Sequence, residues 1–544
     1  MENNNSFVEA LRGRAMTETE NGAPIYVSTD SAIVDQFGRA GNYRGRVLSQ
    51  VFEEQEKLWN EDATLATKFP FYLRMITRKI NIEKNNTTEL VQNGQGARDE
   101  AFKRMLWIAY NHEETFKKNI WLLPIVGCWK DLWTLMYYDV KIGQNSLDRN
   151  VLYSLMKFGL HDDTHCELIK KFMPRIRSNN RCNTDWARLT NMFAKEFAKH
   201  LRLDYTRYNK LKALGTAHEF QKIICSKRFA ELDWKRIPGR ALNLIAASKL
   251  LKNHGLEDTY MKWLEAQPIA KFVGYPFELL RPIRSGCSYK ALERIPIYQR
   301  YTINKQFEAL LEKASQNGAL NKNVLVALDT SGSMGRVVAG LNNTTCEDIA
   351  LSLAIFFAKL NKGAFHDTVI MFDNKSYPYT LPSDGFLECA LTMPSVPWGG
   401  TNFQSVIDEI VKIRKKRPEI PLEEYPTCIL AVSDMEFNTP YYGSRRGETN
   451  HEAALEKLRE VFPSEWVDNL LFIWWNCASR YTDGFESKAS DKGTIEVSGF
   501  DGSLLTFLLN EEAKVNDQGD RVRPTAEDLV KAALSQEILT FVEV

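Results

Sequence analysis

The chain has 544 residues, 44% of them hydrophobic and 26% charged, which allows two or more globular domains with sizeable cores. No uncharged apolar run reaches the roughly 18 residues of a membrane span, and nothing at the N-terminus looks like a signal peptide, so no membrane association is expected. The nine cysteines are scattered and form no CxxC pair, which argues against a zinc ribbon or a disulfide framework and for a reduced, cytoplasmic setting.

The net charge of +1 conceals an asymmetry. Residues 1–320 hold 49 Lys and Arg against 36 Asp and Glu, and residues 321–544 hold 21 against 33. Residues 151–250 alone carry 20 basic and 9 acidic side chains. Two parts with different partners are implied, the basic one suited to phosphates; mutual attraction of the two halves is the alternative reading and is compatible with it.

Residues 1–45 mix Gly, Asn, Ser and Thr and are expected to form a loosely ordered lead-in. From 46 to 265 the period is helical. VLSQVFEEQEKLW, ARDEAFKRMLWIAY, KDLWTLMYY, DWARLTNMFAKEFAKHLR and ALNLIAASKLLKNH place apolar residues at i, i+3, i+4 and i+7. Alternating β-branched runs are nearly absent there. Short breaks between helices suggest paired antiparallel helices in a HEAT-like array. Pro268, Pro276, Pro282 and Pro296 interrupt the pattern, so 266–320 reads as a linker and packing segment.

From 321 to 510 strands and helices alternate, which implies βαβ units in a doubly wound parallel sheet, and 511–544 is expected to be a tail packed on that core. NVLVALD, TVIMFD, TCILAVS, NLLFIWWN and GTIEVSG read as strands, and the stretch around SYPYTL as one more. CEDIALSLAIFFAKL, TNFQSVIDEIVKIRK and HEAALEKLREVF read as helices. Ligands of such sheets bind at the carboxyl ends of strands. Asp329, Ser331 and Ser333 form a D-x-S-x-S turn at one strand end, Thr401 opens the helix after Gly399-Gly400, and Asp434 ends another strand. A carboxylate pair with hydroxyls is a hard oxygen set, suited to Mg²⁺, Mn²⁺ or Ca²⁺.

These pieces, in this order, resemble the metal-ion-dependent adhesion site of von Willebrand factor A domains. The resemblance implies an ion with one open position, filled by water or by an acidic side chain of a protein partner. His161 to Cys166 fits no zinc spacing and reads as a turn with capping Asp residues. Nucleotide-hydrolase, nucleophile-elbow and zincin motifs are missing, so no enzyme is expected.

ENGAPIYVSTDSAIVDQF, WLLPIVGCWKDLWTL, LDWKRIPGRALN and the closing GTIEVSGFDGSLLTFLL resemble Ro-like (TROVE-type) proteins over about 20 to 510. That resemblance implies a HEAT-like helical ring closed by the A domain, and a non-catalytic RNA-binding role for single-stranded or small structured RNA. The residues add their own support. Lys170, Lys171, Arg175, Arg177 and Arg181 cluster in one stretch, and Lys227 and Arg228 in another. Arg202, Arg207 and Lys210 lie between them, interleaved with Tyr205 and Tyr208. Cations hold backbone and rings stack bases in single-strand grooves, though such runs are also common as solvated helix faces. The other reading is a metal-dependent protein-interaction or assembly module without RNA.

Overall fold

The computed structural model describes residues 16–41, 45–83, 87–178, 182–215, 219–280, 292, 294–315, 323–341, 343–382, 385–393, 399–440, 447–478, 484–510, 514–515 and 521–544. They form a helical N-terminal part and a C-terminal, mostly parallel six-stranded sheet. The chain divides into two compact units. One holds Met1–Gly45, Gln95–Ala97 and Gly239–Ser535, and the other Arg46–Gly94, Arg98–Pro238 and Gln536–Val544.

The second unit is helical, with one hairpin. Its helices follow from capping and periodicity. Thr184 caps Asp185–His200 by accepting the Ala187 N–H at 3.1 Å. Phe193, Ala194, Phe197 and Ala198 of that helix are buried. Asp204 caps Tyr205–Ala213, accepting the N–H groups of Thr206 and Arg207 at 2.9 Å each. Trp133, Tyr153 and Tyr208 gather around Phe197, with ring centroids 5.7, 5.5 and 6.3 Å away. The hairpin, Arg78–Glu83 with Thr87–Gln92, was not evident from the pattern. Arg78 and Gln92 hold it by donating to the carbonyls of Ile125, Val126 and Gly127 at 2.6–3.0 Å, the terminal acceptors of a short helix.

In the first unit the sheet has strands β1 (Val324–Asp329), β2 (Thr368–Phe372), β3 (Ser376–Thr380), β4 (Cys428–Ser433), β5 (Leu471–Asn476) and β6 (Thr494–Ser498). Their order is β6-β5-β4-β1-β2-β3. Every pair is parallel except β2–β3, a short hairpin in which Val369 faces Tyr379. Such a hairpin can form only antiparallel, so the expected all-parallel sheet gains one antiparallel edge. The strands β1 and β4 are buried along nearly their whole length. Helix Cys346–Leu360 covers one face, and helices Gln404–Lys416 and Asn450–Arg459 cover the other around Phe403, Ile407, Leu458 and Trp474. From β1 the chain winds to β2 and β3 on one side, then returns to β4 on the other. The topological switch therefore falls between β1 and β4.

One expectation about the N-terminus is corrected. The lead-in is ordered over its described part. Met16–Glu18 pairs with Pro24–Tyr26, and helix Ala32–Ala40, with Phe37 wholly buried, packs on β6. The apolar spacing of AIVDQF drives that packing, and the local polar composition hid it. Within 266–320 the apolar spacing of INKQFEALLEKASQ predicts a helix, and the 19-residue helix Ile297–Ser315 forms there, with Phe307 stacked on Phe386 at 4.1 Å.

The second unit buries charge. Arg104 is 0% exposed and lies 3.0 Å from Glu100 and 3.2 Å from Glu54. Burial raises the Glu100 carboxyl, and the Arg104 charge opposes that rise. Arg104→Ala would leave the buried Glu100 to the more distant Arg46, at 3.6 Å, and should destabilise the chain by about 3–5 kcal/mol in urea denaturation. A loss below about 1 kcal/mol would show that Arg46 or a proton replaces Arg104 at Glu100 with little cost.

Candidate functional site

Three loops meet at the carboxyl ends of β1 and β4. Asp329 closes β1 and is 1% exposed. Its Oδ1 accepts the Ser331 N–H at 2.8 Å, which folds the D-x-S-x-S turn back on itself. Gly332–Gly335 forms a 3₁₀ turn that brings the Oγ atoms of Ser331 and Ser333 to 3.0 Å. At the end of β4, Ser433 donates its hydroxyl to Asp329 Oδ2, and the Ser333 hydroxyl lies near enough to Asp434 to favour its charged form. The second loop is tied in through its backbone. The Gly332 N–H donates to Gly399 at 3.3 Å. Thr401 donates its N–H to Asn438 Oδ1 at 3.2 Å and accepts the Asn438 N–H at 2.8 Å. Asp329, Ser331 and Ser333 are thus joined directly, Asp434 follows Ser433 in the next loop, and Thr401 is anchored to the stretch after Asp434. Ser433 and Asn438, which hold the loops together, carry no signal in the sequence beyond a polar residue near a strand end.

The electrostatics are unfavourable without a counter-charge. Burial, then the Asp434 charge, pushes the Asp329 carboxyl up to about 7, against hydrogen bonds from Ser433 and Ser331. Asp434 is also raised by burial, while Ser333, the Glu436 N–H and the Arg336 charge oppose the rise. Two buried carboxylates beside three hydroxyls suit a hard divalent cation, whose charge would offset their repulsion. Among the described residues no group of three or more His, Cys, Asp or Glu side chains could hold an ion, so hydroxyls must complete any set here.

A strap from the N-terminus adjoins these loops. Thr19 donates to the Phe437 carbonyl at 2.7 Å, and the Glu20 N–H to Glu436 Oε2 at 2.6 Å. The Glu20 carboxylate pairs with Arg336, just past the first loop, at 2.7 Å.

The basic tract separates into committed and uncommitted cations. Lys170 pairs with Glu167 at 3.1 Å, Arg207 with Asp204 at 3.3 Å and Arg228 with Glu231 at 2.8 Å. Lys171 lies over the Phe172 ring at 5.1 Å. Arg175, Arg177, Arg202, Lys210 and Lys227 are exposed, and no carboxylate reaches ion-pair distance of them among the described residues. Arg181 lies outside the described residues. Tyr205 is 52% exposed, but Tyr208 is wholly buried with its hydroxyl donating to Pro174 at 3.1 Å. The expected pair of stacking rings is therefore one ring, because position 208 faces the Phe197 core.

Residues 323–538 match the family model described as a domain of unknown function, DUF7788. An uncharacterized protein of Acanthamoeba polyphaga mimivirus is 22% identical over 534 residues, covering 91% of this chain and 84% of that protein. Among solved structures, the Ro protein of Deinococcus radiodurans aligns over 88% of this chain and 98% of its own, at 13% identity and a TM-score of 0.46.

A carboxyl raised in the folded chain contributes its stability below its ordinary pKa and loses it as pH rises through the folded value, here about 7 for Asp329. Asp434→Asn removes the second cause of that rise. In EDTA the variant should melt higher than the parent at about pH 8, and the gap should close by about pH 5. Identical melting curves at the higher pH would mean that the two carboxylates do not repel each other.

Proposed function

We propose that the chain is a non-catalytic RNA-binding protein of Ro type, working in the cytoplasm, whose basic helical tract holds RNA backbone. In the same reading Asp329, Ser331, Ser333, Thr401 and Asp434 hold Mg²⁺, or Mn²⁺ or Ca²⁺, and this ion docks an acidic side chain of a partner protein. One observation carries the RNA part. Arg175, Arg177, Arg202, Lys210 and Lys227 stay exposed without an acidic partner among the described residues, in a chain whose total charge is only +1. Cations left uncompensated in one tract attract phosphate and release counterions on binding. The cation reading rests on the paired, buried carboxylates at the switch point. A hard cation bound there supplies positive charge and an open coordination position. The eight free thiols among the described residues fit a reducing compartment.

A gel-shift titration of the full chain with labelled single-stranded RNA tests the first part. Five phosphate contacts predict about a hundredfold loss of affinity between about 50 and 200 mM salt. No shift at either salt would remove the RNA reading and leave a metal-dependent protein-docking module.

For the ion, Mg²⁺ must displace protons from Asp329 and Asp434. Its stabilising effect in a melting assay should therefore be large at about pH 8 and small at about pH 6. Asp329→Ala should abolish the effect at both. A Mg²⁺ response that survives in this variant would move the ion elsewhere.

A further inference from the structure

We infer that the groove beside Arg177 is a single-stranded nucleic-acid subsite, holding phosphate on Arg175 and Arg177 and stacking a base on Tyr205. It rests on the RNA-binding reading and narrows it to one place and one strand state.

The two arginines sit on a built support. Pro174–Ser178 lies between helices and belongs to no regular element. Its exposure alternates, with Ile176 buried and Arg175 and Arg177 exposed, as in an extended chain whose i and i+2 side chains share a side. Side-chain amides clamp the backbone from two helices. Ile176 donates its N–H to Asn209 Oδ1 and accepts from Asn209 Nδ2, both at 3.0 Å. Arg177 donates its N–H to Asn191 Oδ1 at 2.8 Å and accepts from Asn191 Nδ2 at 3.2 Å. The base of each arginine is therefore fixed before a ligand arrives, which lowers the ordering cost of binding.

The charge around them is one-sided. Lys212 points its ammonium at the carbonyls of Lys170 and Lys171, at 3.4 and 3.3 Å. Burial first, then the charges of Arg175 and Arg177, pull its pKa below the usual lysine range. Three cations repelling one another, two of them without a carboxylate partner among the described residues, gain from an anion between them. Beside Arg177 a groove of about 460 Å³ is lined by Lys195, Tyr205, Thr206 and Asn209. Its ring is the exposed one of the two tyrosines on that helix. Charge flanking an open aromatic face is the chemistry that single strands use, since a paired base has no face free to lie on the ring.

The test uses the full chain and a fluorescein-labelled oligouridylate of about 12 nucleotides, read by anisotropy. Tyr205→Ala should weaken binding about 5- to 100-fold with the salt slope unchanged, and Tyr205→Phe should bind like the parent. Arg175→Ala with Arg177→Ala should lower the salt slope by about 1.4, two phosphates on a single strand. A parent that binds and variants that all match it would overturn this site and leave the RNA reading standing. Loss in the arginine variant with none in Tyr205→Ala would mark a bare phosphate site and overturn the base assignment. A parent that binds no oligouridylate at low salt would remove the RNA reading itself.

Discussion

The constraint on which the α/β unit turns is the burial of two carboxylates of like charge at neighbouring strand ends. Asp329 and Asp434 end β1 and β4, the pair between which the winding of the sheet reverses. A parallel sheet covered on both faces cannot give these groups water, so the folded chain must protonate one of them or supply a counter-charge. The surrounding loops meet only part of that demand. Ser433 and Ser331 donate to Asp329, and the Glu436 N–H donates to Asp434, yet both carboxyls stay raised. Neutral donors do not cancel a net charge of two, and this remaining imbalance gives the cation reading its physical content.

Much of the site was legible in the sequence because it depends on local rules. A continuous apolar strand followed by D-x-S-x-S places three oxygens on one turn whatever surrounds it, and the rule of strand carboxyl ends brings in Asp434. What could not be read is tertiary. Ser433 holds Asp329 across 104 positions, and Asn438 holds Thr401 across 37. The N-terminal strap is a similar case. Its polar composition suggests a free lead-in, but the contact of Thr19 with Phe437 spans 418 positions and has no local signature. The hairpin Arg78–Gln92 escaped for another reason. Its described apolar burial is a single facing pair, Ile80 and Leu90, and the rest of its hold comes from side chains reaching terminal carbonyls of a helix.

In the basic tract the sequence located the charge but could not tell which charges are already committed. Helix geometry decides that. Lys170, Arg207 and Arg228 each find a carboxylate three residues away, where a helical turn or its capping residue brings side chains together. Arg175 and Arg177 fall in an extended stretch, where no such neighbour exists. The tyrosines split by packing, since Tyr208 meets the Phe197 ring at 6.3 Å while Tyr205, at the first position of the helix, stays 52% exposed. Counting Lys and Arg thus overstates the surface available to phosphate.

The two parts of the functional reading rest on the same electrostatic principle with opposite sign. At the strand ends, negative charge is buried and kept from water; in the helical unit, Arg175, Arg177, Arg202, Lys210 and Lys227 are exposed with no carboxylate at ion-pair distance among the described residues. Pairing either group with a neighbouring side chain would have been the more stable arrangement for an isolated fold, by analogy with the Arg104–Glu100 pair that the same chain builds in full burial. That this protein can neutralise buried charge internally, and does so there, makes the unneutralised groups at the other two places informative. Charge left unbalanced in a well-packed chain is stabilised most by a ligand of the opposite sign, a hard cation in one case and a polyanion in the other.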